Sequence, residues 1–478
     1  MKPISRRNVL LLGGLGLAGT VVGGAGLVSW TSRLSSVSGE QLAQPAELRS
    51  ADGLLQVNLK AVKGALQIGG RGATALSFNG GLPGPTLRLL AGDRLTVSLH
   101  NGLSSPTNLH VHGLHVSPEG NGDNMFVTVE PGTAFDYEYQ LPANHPPGVY
   151  WYHPHHHGFV AEQIFGGLYG AIIVDDPEQI PASRERVMVI SDITLDGSGN
   201  VPAVSAMEQM IGREGELILV NGQLNPRLTA HPGEVERWRI INACVSRYLR
   251  LRLDGQQLQL LGIDSGRFQT PLSVDELLLA PANRADLLVT AAAGTSILRA
   301  LPYDRGGPGG MMGAGIGQTD DVASLASLDV AGDPVTSLLP VPVQPAPRDL
   351  RAAAVTAHRE LTFAMGMGGS MMSFTINDQE FDAGRVDITT QAGAIEEWEL
   401  INTSPMDHPV HLHVWPMQII EDNGRTLDSA IWQDVVNVPA RSRVTVRIAF
   451  DDFTGRSVYH CHILDHEDLG MMGVIEVR

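Results

Sequence analysis

Residues 85–101 read Pro85-Thr86-Leu87-Arg88-Leu89-Leu90-Ala91-Gly92-Asp93-Arg94-Leu95-Thr96-Val97-Ser98-Leu99-His100-Asn101. A short strand runs into a turn glycine. Leu95, Val97 and Leu99 then alternate with polar residues, the pattern of a strand with one face in a core and the other toward water. The pattern returns twice, as Pro226-Arg227-Leu228, Pro232-Gly233-Glu234 and Trp238-Arg239-Ile240-Ile241-Asn242, then as Val386-Asp387-Ile388, Ala392-Gly393-Ala394 and Trp398-Glu399-Leu400-Ile401-Asn402. In every copy an asparagine stands nine residues after the glycine. One supersecondary unit used three times, amid many short strands punctuated by Gly and Pro, predicts an all-β chain of three β-sandwich domains. The expected division is a leader at 1–45 and domains at 46–176, 177–338 and 348–478. The boundaries fall near Asp175-Asp176-Pro177 and in the proline-rich stretch Leu339 to Pro347.

Composition narrows the function. With 33 Lys+Arg against 51 Asp+Glu the formal net charge is −18, which excludes a general nucleic-acid binder. Only Lys2, Lys60 and Lys63 are lysines among the basic residues, which reads as a compositional bias without functional content. Two cysteines, Cys244 and Cys461, allow at most one disulfide.

The N-terminus carries an address. Ser5-Arg6-Arg7-Asn8-Val9-Leu10-Leu11-Leu12 precedes an uncharged run to Val28 with seven glycines among residues 9–28. A paired arginine before a weakly hydrophobic, glycine-rich segment resembles a twin-arginine export signal. The alternative is a membrane anchor, against which the glycines count. The expected destination is the periplasm or the exterior, with cleavage within residues 32–46 and no membrane span in the mature protein.

The histidines carry the chemistry. Nine residues after the repeat asparagine, the first and third modules hold His110-Val111-His112 and His411-Leu412-His413, where the second has Leu251-Arg252-Leu253. Near their ends the same two modules hold Tyr152-His153-Pro154-His155 and Tyr459-His460-Cys461-His462. Along a strand both histidines of an H-x-H pair face one way, so four strands converge eight imidazoles on one interdomain cleft. Imidazole suits several metals, but eight imidazoles beside a thiolate and without a carboxylate favour copper. A single H-x-H is easily a chance pair; four at matching positions are not.

Cys461, His466 and Met471 follow at five-residue intervals, and His408 lies three residues before His411. One thiolate, two imidazoles and a weak axial thioether are the ligand set of a blue-copper electron-transfer site. His460 and His462 face one side of their strand and Cys461 the other. The two sites therefore share one strand, with a through-bond path between them. Cys244, in an apolar strand, reads as a buried small hydrophobe.

These motifs resemble the multicopper oxidases, in particular the three-domain bacterial laccase-like and cuprous-oxidase branch, over nearly the whole chain after the leader. The resemblance rests on His110-Val111-His112-Gly113-Leu114-His115, Trp151-Tyr152-His153-Pro154-His155, His408-Pro409-Val410-His411-Leu412-His413 and the run from His460 to Met471. It implies three consecutive cupredoxin-like Greek-key sandwiches and four copper ions. His408, Cys461, His466 and Met471 would be the type 1 ligands, and His110 and His411 the type 2 ligands. The type 3 pair would be held by His112, His153 and His462 and by His155, His413 and His460. It implies an oxidase that takes electrons singly at type 1 and reduces dioxygen to two waters. Glu467 matches a family carboxylate that relays protons, and Asp123 is the expected second, although its loop, Ser117 to Asn124, differs in length from some relatives. Asp468 is expected only to orient backbone. His156 and His157 are expected near the site or on the surface, and His100, His115, His145, His231 and His358 as structural or exposed.

The implied partners are dioxygen and phenolic or aromatic reductants, with a monomeric protein. Met311-Met312 and the run Met365, Met367, Met371 and Met372 suggest Cu(I) as another donor, thioethers being soft ligands, although methionine also simply fills gaps. A copper-free envelope scaffold is the non-enzymatic alternative, against which the twelve filled ligand positions count.

Overall fold

The computed structural model describes residues 39–307, 322–336, 340–368 and 371–478. Three cupredoxin-like sandwiches follow one another. Residues 47–174 build a five-stranded and a four-stranded sheet, and residues 184–330 and 357–477 each build a six-stranded and a five-stranded sheet.

The sequence repeat has a definite place in this plan. In each copy the strand before the glycine lies in one sheet and the strand after it in the other: Thr86–Leu89 and Arg94–Asn101, Arg227–Ala230 and Val235–Asn242, Ile388–Thr390 and Ala394–Asn402. The chain crosses the sandwich at the glycine. Gly92, Gly233 and Gly393 all adopt φ between 85° and 88°, where a side chain is strained.

From the repeat asparagine the chain crosses back, and the asparagine fixes that crossing. Asn101 donates through Nδ2 to the carbonyls of Ser105 and Val129 and accepts the Leu103 amide on Oδ1. Asn242 does the same with Arg247 (2.9 Å), Leu279 (3.0 Å) and the Cys244 amide (3.1 Å), and Asn402 with Met406, Val438 and the Ser404 amide. All three side chains are buried. The next strand in two of the copies carries the H-x-H motif, so the lock also sets where those histidines emerge.

Each sandwich has its own apolar core, and a fourth cluster draws Trp151, Ile164, Val189, Ile241, Val435 and Leu464 from all three. Arginines cross-link the first two sandwiches. Arg237 and Arg267 each reach Asp176 on one side (2.6 and 2.8 Å) and Asp286 on the other (2.7 Å for both). These cations hold the Asp286 carboxyl well below its ordinary range against the effect of burial. The arginines thus have a use here, because the planar fork of Arg237 grips Asp286 bidentately while it also reaches Asp176, a geometry that a lysine's single nitrogen does not offer.

Two features differ from the sequence reading. Residues 40–44, placed in the leader, dock on the second sandwich: the Leu42 amide donates to Arg227, the Ala43 amide to the Gln223 side chain, and Leu42 is buried in the second core. Three short helices also appear among the described residues, α1 (Val160–Phe165), α2 (Ala206–Ile211) and α3 (Leu464–Asp468), each too short to show a helical period in the sequence. The paired-arginine leader and Met311-Met312 lie outside the described residues. No helix among the described residues is long and apolar enough to cross a membrane.

Asn242 belongs to the sandwich without histidine pairs, so its replacement isolates the lock. Asn242→Leu is expected to destabilise the chain by about 1–3 kcal/mol for each buried acceptor left unpaired, read as a lower urea midpoint. An unchanged midpoint would contradict the assignment.

Candidate metal centres

Two pairs of neighbouring strands build the main site. The edge strand His110–His112 pairs with Gly148–His153, setting His110 opposite His153, and His408–Leu412 pairs with Gly455–Cys461, setting His411 opposite His460 and Val410 opposite Cys461. Only the first H-x-H lies wholly within a strand; His155, His413 and His462 stand just past their strand ends. The side chains still converge.

All eight rings are buried, and two pairs across the first and third sandwiches meet face to face. His110 stacks on His413 at 3.9 Å between centroids and His112 on His411 at 3.8 Å. The ring nitrogens fall into three sets whose members lie within 4.8 Å of one another: His110, His112 and His411; His112, His153 and His462; His155, His413 and His460. His460 Nε2 lies 3.1 Å from both His155 Nε2 and His413 Nε2, and His112 Nδ1 lies 3.3 Å from His153 Nε2. His110 Nε2, His411 Nε2 and both nitrogens of His462 are buried and have no hydrogen-bond partner among the described residues.

Burial pushes the basicity of these imidazoles down, with neighbouring imidazoles adding to the effect at most of them, and His155 and His460 fall to about 4. Neutral rings with unpaired nitrogens aimed at one another would leave costly unsatisfied groups, unless cations sit between them. The donor set fits copper.

Two carboxylates support the ring. Asp123 Oδ1 is 2.9 Å from His110 Nδ1 and accepts the Val111 amide, while its Oδ2 is 3.8 Å from His413 Nδ1. Glu467 lies 3.1 Å from His460 Nδ1 and 3.5 Å from His155 Nδ1. Both are buried, and burial pushes their acids up, to about 8 for Asp123 and about 7 for Glu467. Asp468 turns away and accepts the amides of Gly158, Val160 and Ala161 at the start of α1.

On the opposite face of the strand, His408 Nδ1 is 3.3 Å and His466 Nδ1 3.9 Å from Cys461 Sγ. The helix α3 carries His466 back toward the cysteine. The Cys461 amide donates to the Met471 carbonyl (3.1 Å), which brings buried Met471 alongside. Burial pushes the Cys461 thiol up, so a bound cation is what would keep it a thiolate. Each histidine is oriented from behind, His408 Nε2 by the Ser404 hydroxyl at 2.7 Å and His466 Nε2 by the Met210 carbonyl of α2 at 3.2 Å.

A Cys–His–His site set back to back with three histidine sets, His460 and Cys461 being neighbours on one strand, decides the family. The chain belongs to the multicopper oxidase family. Three multicopper oxidase profiles match, at residues 61–179, 151–300 and 353–478. The chain is 27% identical over 439 residues to a multicopper oxidase of Staphylococcus haemolyticus, covering 89% of each. It is 26% identical over 467 residues to the laccase of Bacillus subtilis, covering 84% of this chain and 89% of that one. A solved multicopper oxidase from Campylobacter jejuni, described as a metallo-oxidase, superposes with a TM-score of 0.80 at 30% identity, covering 92% of this chain and 95% of that one. This multicopper oxidase is therefore an oxidoreductase with copper cofactors.

Several further residues lay outside the sequence reading: Asp434, whose carbonyl accepts from His411 Nδ1 at 2.7 Å, Arg284, Ser404 and Met210. Each is a common residue type without a motif of its own. His156 bonds Thr128 and His157 packs at a tilt against Phe381, and with His155, Met125 and Phe126 they line a cavity of about 280 Å³. His115 joins first sandwich to third, bonding the Val414 carbonyl (2.9 Å) and Asp452 (2.8 Å), with His145 accepting its amide. Cys244 is buried and unpaired.

Proposed function

We propose that this chain binds four copper ions and couples one-electron oxidation of phenolic or aromatic donors at the Cys461 site to reduction of dioxygen to water at the histidine ring. The observation that carries the reading is the division of the ring into three sets, two of them sharing His112, beside a separate Cys–His–His set. His408, Cys461, His466 and Met471 are the type 1 ligands, and His110 and His411 the type 2 ligands. His112, His153 and His462, with His155, His413 and His460, hold the type 3 pair. Copper bound there supplies one-electron redox chemistry beside the thiolate and dioxygen reduction within the ring.

The residues supply the rest. Cys461 is joined by peptide bonds to His460 and His462, so covalent bonds lead from one site to the other. Glu467 and Asp123 stand as acids against four ring imidazoles and deliver the protons that water formation consumes. The cavity at His155 supports an approach for dioxygen. The Arg6-Arg7 leader supports export of the folded protein to the periplasm or beyond.

Oxidation of Cu(I) is a second reading with one observation behind it: Met210, Met365 and Met372 all pack, partly buried, against the third core, and Met210 also contacts His466 through its carbonyl. Replacing the three by leucine separates the two. Loss of cuprous turnover with phenol turnover intact would support the second reading, and unchanged rates for both would count against it.

The proton role has its own test. Glu467→Gln keeps the shape and removes the proton. Oxygen uptake is expected to fall by about 10²–10⁴ with the blue absorption of the thiolate site unchanged. Undiminished uptake would remove Glu467 from the mechanism.

A further inference from the structure

The middle sandwich contributes none of the twelve copper ligands, yet it sends one side chain to the ring. Arg284 is fully buried at the junction of all three sandwiches. Its Nη1 and Nη2 donate to the two oxygens of Asp434 in the third sandwich, both at 2.6 Å, and its Nε donates to the Val149 carbonyl of the first at 3.0 Å. Asp264 backs the guanidinium at 3.2 Å and is itself held by Asn283, by the Arg284 amide and by the Val435 amide beside Asp434.

Asp434 stands between one ring ligand from each outer sandwich. Its Oδ1 lies 3.1 Å from His112 Nε2, and its backbone carbonyl accepts from His411 Nδ1 at 2.7 Å. The two bonds select opposite tautomers. His112 is protonated on Nε2 and turns Nδ1 inward, 3.3 Å from His153, whereas His411 is protonated on Nδ1 and turns Nε2 inward, where it has no other partner. One residue thus sets which nitrogen each ring offers.

The glycine of His110-Val111-His112-Gly113 is part of the same arrangement. Gly113 has φ of 84°, and the residue after the matching pair of the third sandwich, Val414, has φ of 69°. A β-branched residue tolerates this backbone in one copy, so the backbone alone does not demand glycine in the other. Space does: a Cβ at Gly113 would run into Arg284 Nη2 and lie 2.9 Å from Asp434 Oδ2. The glycine is the seat of the guanidinium.

We infer that Arg284 is a positioning residue for the histidine ring, so that docking of the ligand-free middle sandwich controls copper loading of the type 2 and type 3 positions. The inference rests on the copper reading of the ring. Bidentate geometry is needed because Asp434 must meet Arg284 while one oxygen remains aimed at His112.

The test loads wild type, Arg284→Gln and Gly113→Ala with copper and follows metal per chain, the blue absorption, the type 2 paramagnetic signal and retention against a chelator. Both variants are expected to keep the blue absorption, which reports a folded third sandwich. Ring copper should be lost to the chelator about tenfold to a hundredfold more readily, the scale for residues that orient metal ligands. Arg284→Lys, which restores charge without the fork, is expected to recover only part of the loading. Blue variants that hold wild-type copper with an unchanged type 2 signal would overturn the inference. If Arg284→Gln fails to fold, Gly113→Ala decides it: normal ring loading there overturns it, selective ring loss supports it. Wild type that binds copper only at the thiolate site would instead overturn the reading of the ring, and the inference with it.

Discussion

The structure turns on a buried junction where eight neutral imidazoles from two sandwiches point nitrogens at one another. Without cations such a cluster is among the costlier things a protein interior can hold, since buried nitrogens lose water and gain no partner. His460 Nε2 lies within 3.1 Å of two other imidazole nitrogens, as expected of one side of a shared ligand shell. Everything around the ring serves to hold it in that form. Burial keeps the rings uncharged, stacked pairs His110–His413 and His112–His411 align the sandwiches, and carbonyl and carboxylate partners behind the rings fix tautomers.

The second site obeys the same logic with a different ligand. Cys461 shares its strand with His460 and points the other way, so one peptide segment carries groups of both candidate sites. Its partners come from places that only the fold unites: His408 from the neighbouring strand, His466 from α3, and the support behind His466 from Met210 on α2 of the middle sandwich. The middle sandwich therefore touches both sites, through Met210 at one and Arg284 at the other. Calling it a spacer would miss this.

Much of the site was legible in the sequence because its ligands come as adjacent pairs and the pairs come as repeats. Gly92, Gly233 and Gly393, with Asn101, Asn242 and Asn402, announced three copies of one unit, and the H-x-H motifs stood at fixed distances from them. What the sequence hid is what comes singly. Asp434 is one of 51 acidic residues and Arg284 one of many arginines, and only the meeting of three sandwiches gives them a role. The short helices were invisible because five or six residues do not establish a period. Residues 40–44 looked like leader because nothing local reveals that Leu42 fits the second core.

That the converging nitrogens and the thiolate are copper sites is best tested by anomalous diffraction at the copper edge from crystals of the loaded protein. One peak is expected among His408, Cys461 and His466 next to Met471. Three more should lie inside the ring, one against His110 and His411 and one in each of the other two histidine sets. A thiolate-site peak with no density inside the ring, or ring peaks coordinated by residues other than these eight histidines, would contradict it.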